Sequence, residues 1–133
     1  MKRIIVLIVA IICTISLFGQ KKSIVGNKVK TMVVYGQKIE KGKTINVKES
    51  ESKYNADGYL IEEIEYKDCK LDKRTTYEYD ENKIRIKETE YSSSGDVNKI
   101  IEYKYKGDLK VEKYVYKADG KLKSKKIYQY ENY

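Results

Sequence analysis

Residues Tyr54–Tyr66 read YNADGYLIEEIEY, and this segment indicates how the whole chain is built. Its first tyrosine is followed by a polar turn that contains Asp57 and Gly58, and then by a run that ends in a second tyrosine. Asp and Gly accept the positive φ that tight turns require, whereas β-branched and aromatic residues favour strands. The segment therefore predicts one turn followed by one β-strand.

The same arrangement recurs along the chain at a regular interval, which is visible in two series of tyrosines. The first series is Tyr54, Tyr79, Tyr105 and Tyr130, and the second is Tyr66, Tyr91 and Tyr116. Both series keep the same interval to within one position. Each unit contains two turns and leaves room for two strands. A fixed period of about 25 residues is typical of a repeat architecture.

Eight runs of the chain have the composition of strands. They are Lys30–Tyr35, Lys43–Lys48, Tyr59–Tyr66, Leu71–Tyr79, Ile84–Tyr91, Val97–Tyr105, Leu109–Tyr116 and Leu122–Tyr130. Because short turns join consecutive runs, neighbouring strands should pair antiparallel. The sequence predicts an all-β fold, an antiparallel up-and-down meander of about eight strands, forming an open twisted sheet or a partly closed barrel. With 14 Tyr, one Phe and no Trp, an open sheet with one Tyr/Ile-rich face is favoured.

Period-2 alternation in three of the runs places tyrosines on a shared face, which is a possible ligand face. Its members are Tyr77, Tyr79, Tyr103, Tyr105, Tyr128 and Tyr130. The alternative is that these tyrosines only build the scaffold. In the other runs the spacing from Ile61 to Tyr66, and from Ile86 to Tyr91, is odd and breaks the alternation. This break predicts a β-bulge in the alternate strands.

The N-terminal residues predict export. Lys2 and Arg3 precede the apolar run Ile4–Phe18, whose length suits a signal peptide and is short for a membrane span. A retained anchor and a lipoprotein site at Cys13 are the alternatives. We expect the protein to be exported across the inner membrane to the periplasm, the cell surface or the medium, touching the membrane only through an uncleaved signal. The expected organisation is a signal peptide at 1–19, a loose leader at 20–28, an N-terminal strand pair acting as a cap at 29–53, and Tyr-rich β-hairpin repeats at 54–133.

Composition excludes several kinds of chemistry. The chain has no His, so catalysis and metal binding that depend on imidazole are absent. Removal of the signal would leave Cys69 as the one thiol, in an exposed turn, without an intramolecular disulfide. We expect no catalytic residues, no metal and no cofactor. A Glu-dependent secreted hydrolase is the less favoured alternative, because the carboxylates alternate with lysines on the strands, at Glu62, Glu63, Glu65, Glu88 and Glu90.

The formal net charge is +8, or +6 without Lys2 and Arg3. A possible basic patch lies on the last run, at Lys121, Lys123, Lys125 and Lys126. Lysines on an edge strand also discourage aggregation, which is the structural alternative. An exported basic protein meets anionic polymers of the envelope rather than nucleic acid. The expected partner is therefore an envelope protein or an anionic glycan, and no nucleic acid.

The pattern Tyr-x-x-x-Gly-x-Leu followed by a polar strand ending in Tyr resembles the YD-repeat family of β-hairpin repeats, found in RHS-type proteins and many small exported bacterial proteins. The best matches are YNADGYLIEEIEY at Tyr54–Tyr66, TTYEYDENKI at Thr75–Ile84 and YKADGKL at Tyr116–Leu122. The resemblance covers residues 54–133 and implies a β meander in a surface or secreted setting, without an activity. The expected function is that of an exported, non-catalytic protein that binds a cell-surface component through a sheet face or edge. The alternative is a structural or inhibitory partner of a larger exported protein.

Overall fold

The computed structural model describes residues 23–133 and places eight strands in one antiparallel sheet, in sequence order. The strands are β1 (Thr31–Glu40), β2 (Lys43–Tyr54), β3 (Leu60–Lys67), β4 (Lys70–Tyr79), β5 (Arg85–Tyr91), β6 (Val97–Lys106), β7 (Leu109–Lys117) and β8 (Leu122–Ile127). Within this part of the chain β1 and β8 each pair with one neighbour, so the sheet is open. The predicted all-β meander is confirmed, and of its two forms the open sheet is the one observed. The predicted signal peptide at 1–19 lies outside the described residues.

Some strand bounds differ from the prediction. β1 and β2 are longer than expected, because they continue to a tight turn at Lys41 and Gly42 and β2 then runs on to Tyr54. β8 ends at Ile127, before the predicted end at Tyr130. β8 has a partner on one side only, so its end is held by fewer hydrogen bonds than an inner strand.

The sheet is a single layer with very little buried apolar surface. Among residues 23–133, Ile24 and Val47 are the buried hydrophobic side chains. Residues 23–26, within the predicted leader, form one helical turn that carries Ile24. The next residue, Val25, packs so closely on Gly58 that a Cβ there would come within 2.3 Å of it. The helical turn therefore covers one small part of the sheet and leaves the rest open on both sides.

Every strand pair carries one register shift, and each shift falls immediately before a tyrosine. The tyrosines are Tyr35, Tyr54, Tyr66, Tyr79, Tyr91, Tyr105 and Tyr116. The bulges predicted in the alternate strands, β3 and β5, are confirmed, and the extra residues are Ile61 and Ile86. The shifts are more frequent than predicted, because the intervening pairs carry them as well. A bulge increases the local twist of a sheet and changes the direction of the side chains beside it. Here one occurs in every strand pair.

Two faces are defined by rows of paired residues on consecutive strands, because directly opposed residues point to the same side. The front face carries the row Ser52, Glu63, Thr75, Glu90, Lys99 and Lys117. The back face carries the row Lys53, Glu62, Thr76, Thr89, Ile100 and Tyr116. Both faces are mixed in polarity, as a sheet without a second layer requires.

One tyrosine in each unit forms a hydrogen bond from its hydroxyl to the backbone of the preceding hairpin. Three hydroxyls donate to backbone carbonyls far upstream in the sequence: Tyr79 to Leu60 at 2.8 Å, Tyr105 to Arg85 at 2.9 Å and Tyr130 to Lys110 at 2.7 Å. The donors and the acceptors both follow the interval of the sequence repeat. These three bonds, which we call the tyrosine anchors, are therefore a repeated structural element rather than isolated contacts.

Replacement of Tyr79 by Phe removes one anchor and keeps the ring. We expect the free energy of unfolding to fall by about 1 kcal/mol, the usual net value of one such hydrogen bond. Urea denaturation measures the loss. Tyr54→Phe is the matched control, since no hydrogen bond of its hydroxyl is found in the described residues. Equal losses in the two variants would contradict a specific role for the anchor.

The turn between β3 and β4 contains backbone strain. Asp68 and Cys69 have φ of 49° and 62°, in the left-handed region that disfavours side chains with a Cβ. The equivalent turn between β1 and β2 uses Lys41 and Gly42, with Gly in the second position. Cys69 is free and exposed, as predicted, and it occupies the position that favours Gly.

Cys69→Gly should stabilise the protein by about 0.5–1 kcal/mol, because relief of the left-handed strain exceeds the backbone entropy that Gly adds to the unfolded chain. The unfolding midpoint in urea reports the change. Cys69→Ala removes the thiol and keeps the strain, so it should give no gain. A gain of the same size in the Ala variant would assign the effect to the thiol instead.

Candidate ligand-binding face

The structure distributes tyrosines over both faces, which corrects the expectation of one Tyr/Ile-rich face. Four members of the predicted ligand face lie on the front face: Tyr77, Tyr79, Tyr103 and Tyr105. The other two, Tyr128 and Tyr130, follow the end of β8. A second set lies on the back face, at Tyr66, Tyr91, Tyr114 and Tyr116. The division follows from alternation along the strands, because the extra residue at each register shift lies on the next strand and not on the strand of the tyrosine.

The front-face tyrosines contact neighbouring charged side chains. Hydroxyls of Tyr77 and Tyr103 donate to the carboxylates of Glu63 and Glu88, at 3.0 and 2.8 Å. The Arg85 guanidinium lies over the Tyr77 ring at 4.3 Å. Burial, reinforced by the adjacent carboxylates, raises the pKa of both hydroxyls above the ordinary value, so that they stay protonated donors. These contacts give the tyrosines a structural role on this face.

A shallow cavity of about 190 Å³ lies between β3, β4, β5 and β6 on the front face. Four carboxylates line it: Glu63, Glu65, Glu88 and Glu90. Each is partnered. Glu63 accepts from Tyr77, Glu65 pairs with Lys73 at 2.7 Å, Glu88 accepts from Tyr103 and Arg85, and Glu90 pairs with Lys99 at 3.0 Å. The concave cluster of acids resembles the arrangement that a Glu-dependent hydrolase needs, but its members are held by neighbouring cations and hydroxyls.

Glu90 illustrates the electrostatic state of this cluster. Burial acts to raise the pKa of its carboxyl, but hydrogen bonds from Lys99 and Asn98 outweigh burial and hold the pKa below the ordinary value. A general acid at neutral pH requires the opposite shift. The direction of this shift is therefore opposite to the one that the role of general acid would require of Glu90.

The predicted basic patch does not form one cluster. Lys125 is on the back face and pairs with Glu112 at 2.6 Å, whereas Lys126 is on the front face opposite Lys113. Lys121 lies in a turn, 3.6 Å from the Asp119 carboxylate. Lys123 is the extra residue at the register shift between β7 and β8. Alternation along a strand, together with this shift, separates lysines that are adjacent in sequence.

A different set of lysines does meet on the front face of β7 and β8. We call it the lysine patch, and its members are Lys110, Lys113, Lys117 and Lys126. Among residues 23–133 none of the four forms an ion pair with a carboxylate. Sequence reasoning missed this set because its members come from two strands. The available signal was the repeat itself, since Lys113 stands where the two earlier units have Glu63 and Glu88.

The back face near the same strands is charge-compensated. Glu112 accepts hydrogen bonds from the Lys125 ammonium and the Tyr114 hydroxyl, and these lower the pKa of its carboxyl to about 2. Lys104 adds a further ion pair to it at 3.6 Å. The two faces of β7 therefore differ, with paired charges behind and unpaired positive charges in front.

This pairing predicts a pH dependence of stability. The pKa of Glu112 is lower in the folded protein than its ordinary value of 4.5, so its contribution is complete above about pH 4.5 and is lost as pH falls toward 2. The urea midpoint should decrease across this interval, and less in Glu112→Gln. Glu131→Gln, in the exposed segment after β8, is the control and should leave the pH profile unchanged. A profile identical for Glu112→Gln and the parent would contradict the assignment.

The fold and the surface define a single-layer antiparallel β-repeat protein with the lysine patch at one end of its front face. Comparison with family models, curated proteins and solved structures gives no match to the chain, so the YD-repeat resemblance stays a prediction. The part of the chain at 23–133 contains no helix long and apolar enough to cross a membrane. Within the same residues no group of three or more Asp, Glu or Cys side chains is placed to hold a metal ion.

Proposed function

We propose that the protein is an exported, non-catalytic binding protein that holds an anionic glycan on its lysine patch. The observation that carries the proposal is the uncompensated charge of that patch. Lys113 lies directly opposite Lys126, and Lys117 lies directly opposite Lys99, whose ammonium also pairs with Glu90 at 3.0 Å. Like charges in directly opposed positions destabilise a sheet. An anionic ligand would neutralise them.

The remainder of the sheet supports this interpretation by contrast. Opposite charges are paired across strands at Lys53 and Glu62, and again at Glu78 and Lys87. In the described residues the other like-charged pair, Lys67 and Lys70, flanks a turn. Among the described residues, the directly opposed like charges that lie away from a turn are therefore both on the front face of β6, β7 and β8.

The dimensions of the patch suit a polymer better than a small anion. The patch follows β7 from Lys110 to Lys117, which corresponds to about 23 Å at about 3.3 Å per residue. Lys126 widens it by one strand. The Lys110 ammonium lies 4.3 Å from the centre of the Tyr103 ring, so an aromatic surface adjoins the charges. A linear glycan with repeated carboxylate or sulfate groups matches this extended arrangement.

The expected export of the chain favours a glycan over nucleic acid, since envelope and extracellular polymers are the polyanions present there. The sequence analysis left one alternative to binding a glycan, which is a structural or inhibitory role toward a larger exported protein. The hydrolase alternative would use the front-face cavity, whose carboxylates are paired as described. This cavity lies away from the lysine patch, so substitutions in the patch separate the hydrolase alternative from the proposal.

Lys113→Glu reverses the charge at the centre of the patch. We expect it to weaken binding to a sulfated polysaccharide such as heparin by about tenfold or more, equivalent to about 1.4 kcal/mol. Lys28→Glu is the control, because it changes the net charge equally at an exposed position before β1, outside the sheet. Titration calorimetry at two salt concentrations measures both variants.

Binding by the parent should fall steeply with salt, because exposed charges are screened at high ionic strength. Equal weakening in Lys113→Glu and Lys28→Glu would indicate attraction to net charge alone and would overturn the patch as the site. Equal affinity for DNA of similar charge density would overturn the preference for a glycan. Stoichiometric recovery of a protein partner that both variants retain would favour the alternative function.

A further inference from the structure

The two outer edges of the sheet differ in length and in chemistry. β8 is six residues long, and three of its residues are lysines, which discourage pairing with another strand. β1 is ten residues long and has one lysine and one glutamate. Exposed apolar side chains lie on both edges, with Tyr35 60% and Ile39 79% exposed on β1 and Leu122 53% and Ile127 66% exposed on β8. Long edges of this kind are suited to pairing with a further strand.

Backbone geometry identifies the groups that this edge offers. The Lys30 carbonyl accepts a hydrogen bond from the Tyr54 amide at 2.9 Å, so Lys30 directs its backbone groups toward β2. Because these directions alternate along an antiparallel strand, even-numbered residues of β1 also face β2. The odd-numbered residues therefore direct their N–H and C=O groups to the open side. They are Thr31, Val33, Tyr35, Gln37 and Ile39.

We propose that β1 pairs antiparallel with β1 of a second copy of the chain, with Tyr35 on the two-fold axis. In this register Tyr35 opposes its own equivalent, Val33 opposes Gln37 of the partner subunit, and Thr31 opposes Ile39 of the partner subunit. Each of these positions is odd-numbered, so every opposed pair has outward backbone groups on both sides. The inference concerns an interface and is independent of the lysine patch.

Charge complementarity selects this register and this occupant. Lys30 opposes Glu40 of the partner subunit, and the symmetry repeats the pair at the other end of the interface. Neither residue forms an ion pair within residues 23–133, and both are exposed. A slip of the partner strand by two positions in one direction opposes Lys30 to Lys38, which is repulsive. A slip in the other direction leaves no pair of opposite charges. The strand is thus self-complementary in one register that also satisfies the backbone.

Sedimentation velocity of the purified protein over a range of concentrations tests this inference. We expect a monomer–dimer equilibrium in the parent. Glu40→Lys and Lys30→Glu each replace two attractions with two repulsions, so each should raise the dimer dissociation constant by about tenfold or more. The double variant reverses both charges and should restore the parent value. Glu131→Lys, outside either edge, is the charge-matched control and should not change the equilibrium.

Hydrogen exchange provides a second measurement on the unmodified chain. Amides of Val33, Tyr35 and Gln37 should exchange more slowly as concentration rises, whereas outward amides of β8 should be unaffected. A monomer at every concentration, or a double variant as weak as the single ones, would overturn the proposal. Species that grow beyond a dimer would indicate pairing of β1 with β8 of the next copy and would overturn it equally.

Discussion

The bond between a tyrosine hydroxyl and a backbone carbonyl of the preceding hairpin is the interaction on which this sheet depends. In a two-layer protein, a strand is held in register by the side chains that it buries. Here Ile24 and Val47 are the buried apolar residues of the described chain, so burial supplies little of that information. The anchors from Tyr79, Tyr105 and Tyr130 supply it instead, because each donates to one particular carbonyl.

The tyrosines of the repeat are divided between the two faces of the sheet. Tyr79 and Tyr105 lie on the front face, and Tyr66, Tyr91 and Tyr116 lie on the back face. On both faces the rings lie among charged side chains, as Tyr91 does under Arg74 at 4.0 Å. Aliphatic stems and cations then cover the rings, which is how a single layer limits its exposed apolar surface.

Repetition made most of the fold predictable. The regular spacing of the tyrosines indicates the units, and turns at Gly58, Gly95 and Gly120 indicate where strands reverse, so strand number, order and pairing follow from the sequence. The predicted assignment of side chains to the two faces was less accurate. Asp72 and Asn98 are extra residues at register shifts, and the alternation in the sequence does not reveal them. The basic patch was assigned to residues adjacent in sequence, whereas the lysines that meet in space come from paired strands. Lys113 and Lys126 become neighbours only when the register of β7 and β8 is known.

Departures from the repeat carry more functional information than the repeat itself. Positions that hold a strand to its neighbour must recur, as Leu60, Arg85 and Lys110 do through their carbonyls, whatever their side chains are. Positions on the exposed faces are free to differ between units. At one such position the first two units have Glu63 and Glu88, which accept hydrogen bonds from Tyr77 and Tyr103. The third unit has Lys113 there, so it lacks this acceptor and has a positive charge without an ion pair. This departure from the repeat is the observation on which the proposed binding of an anionic ligand rests.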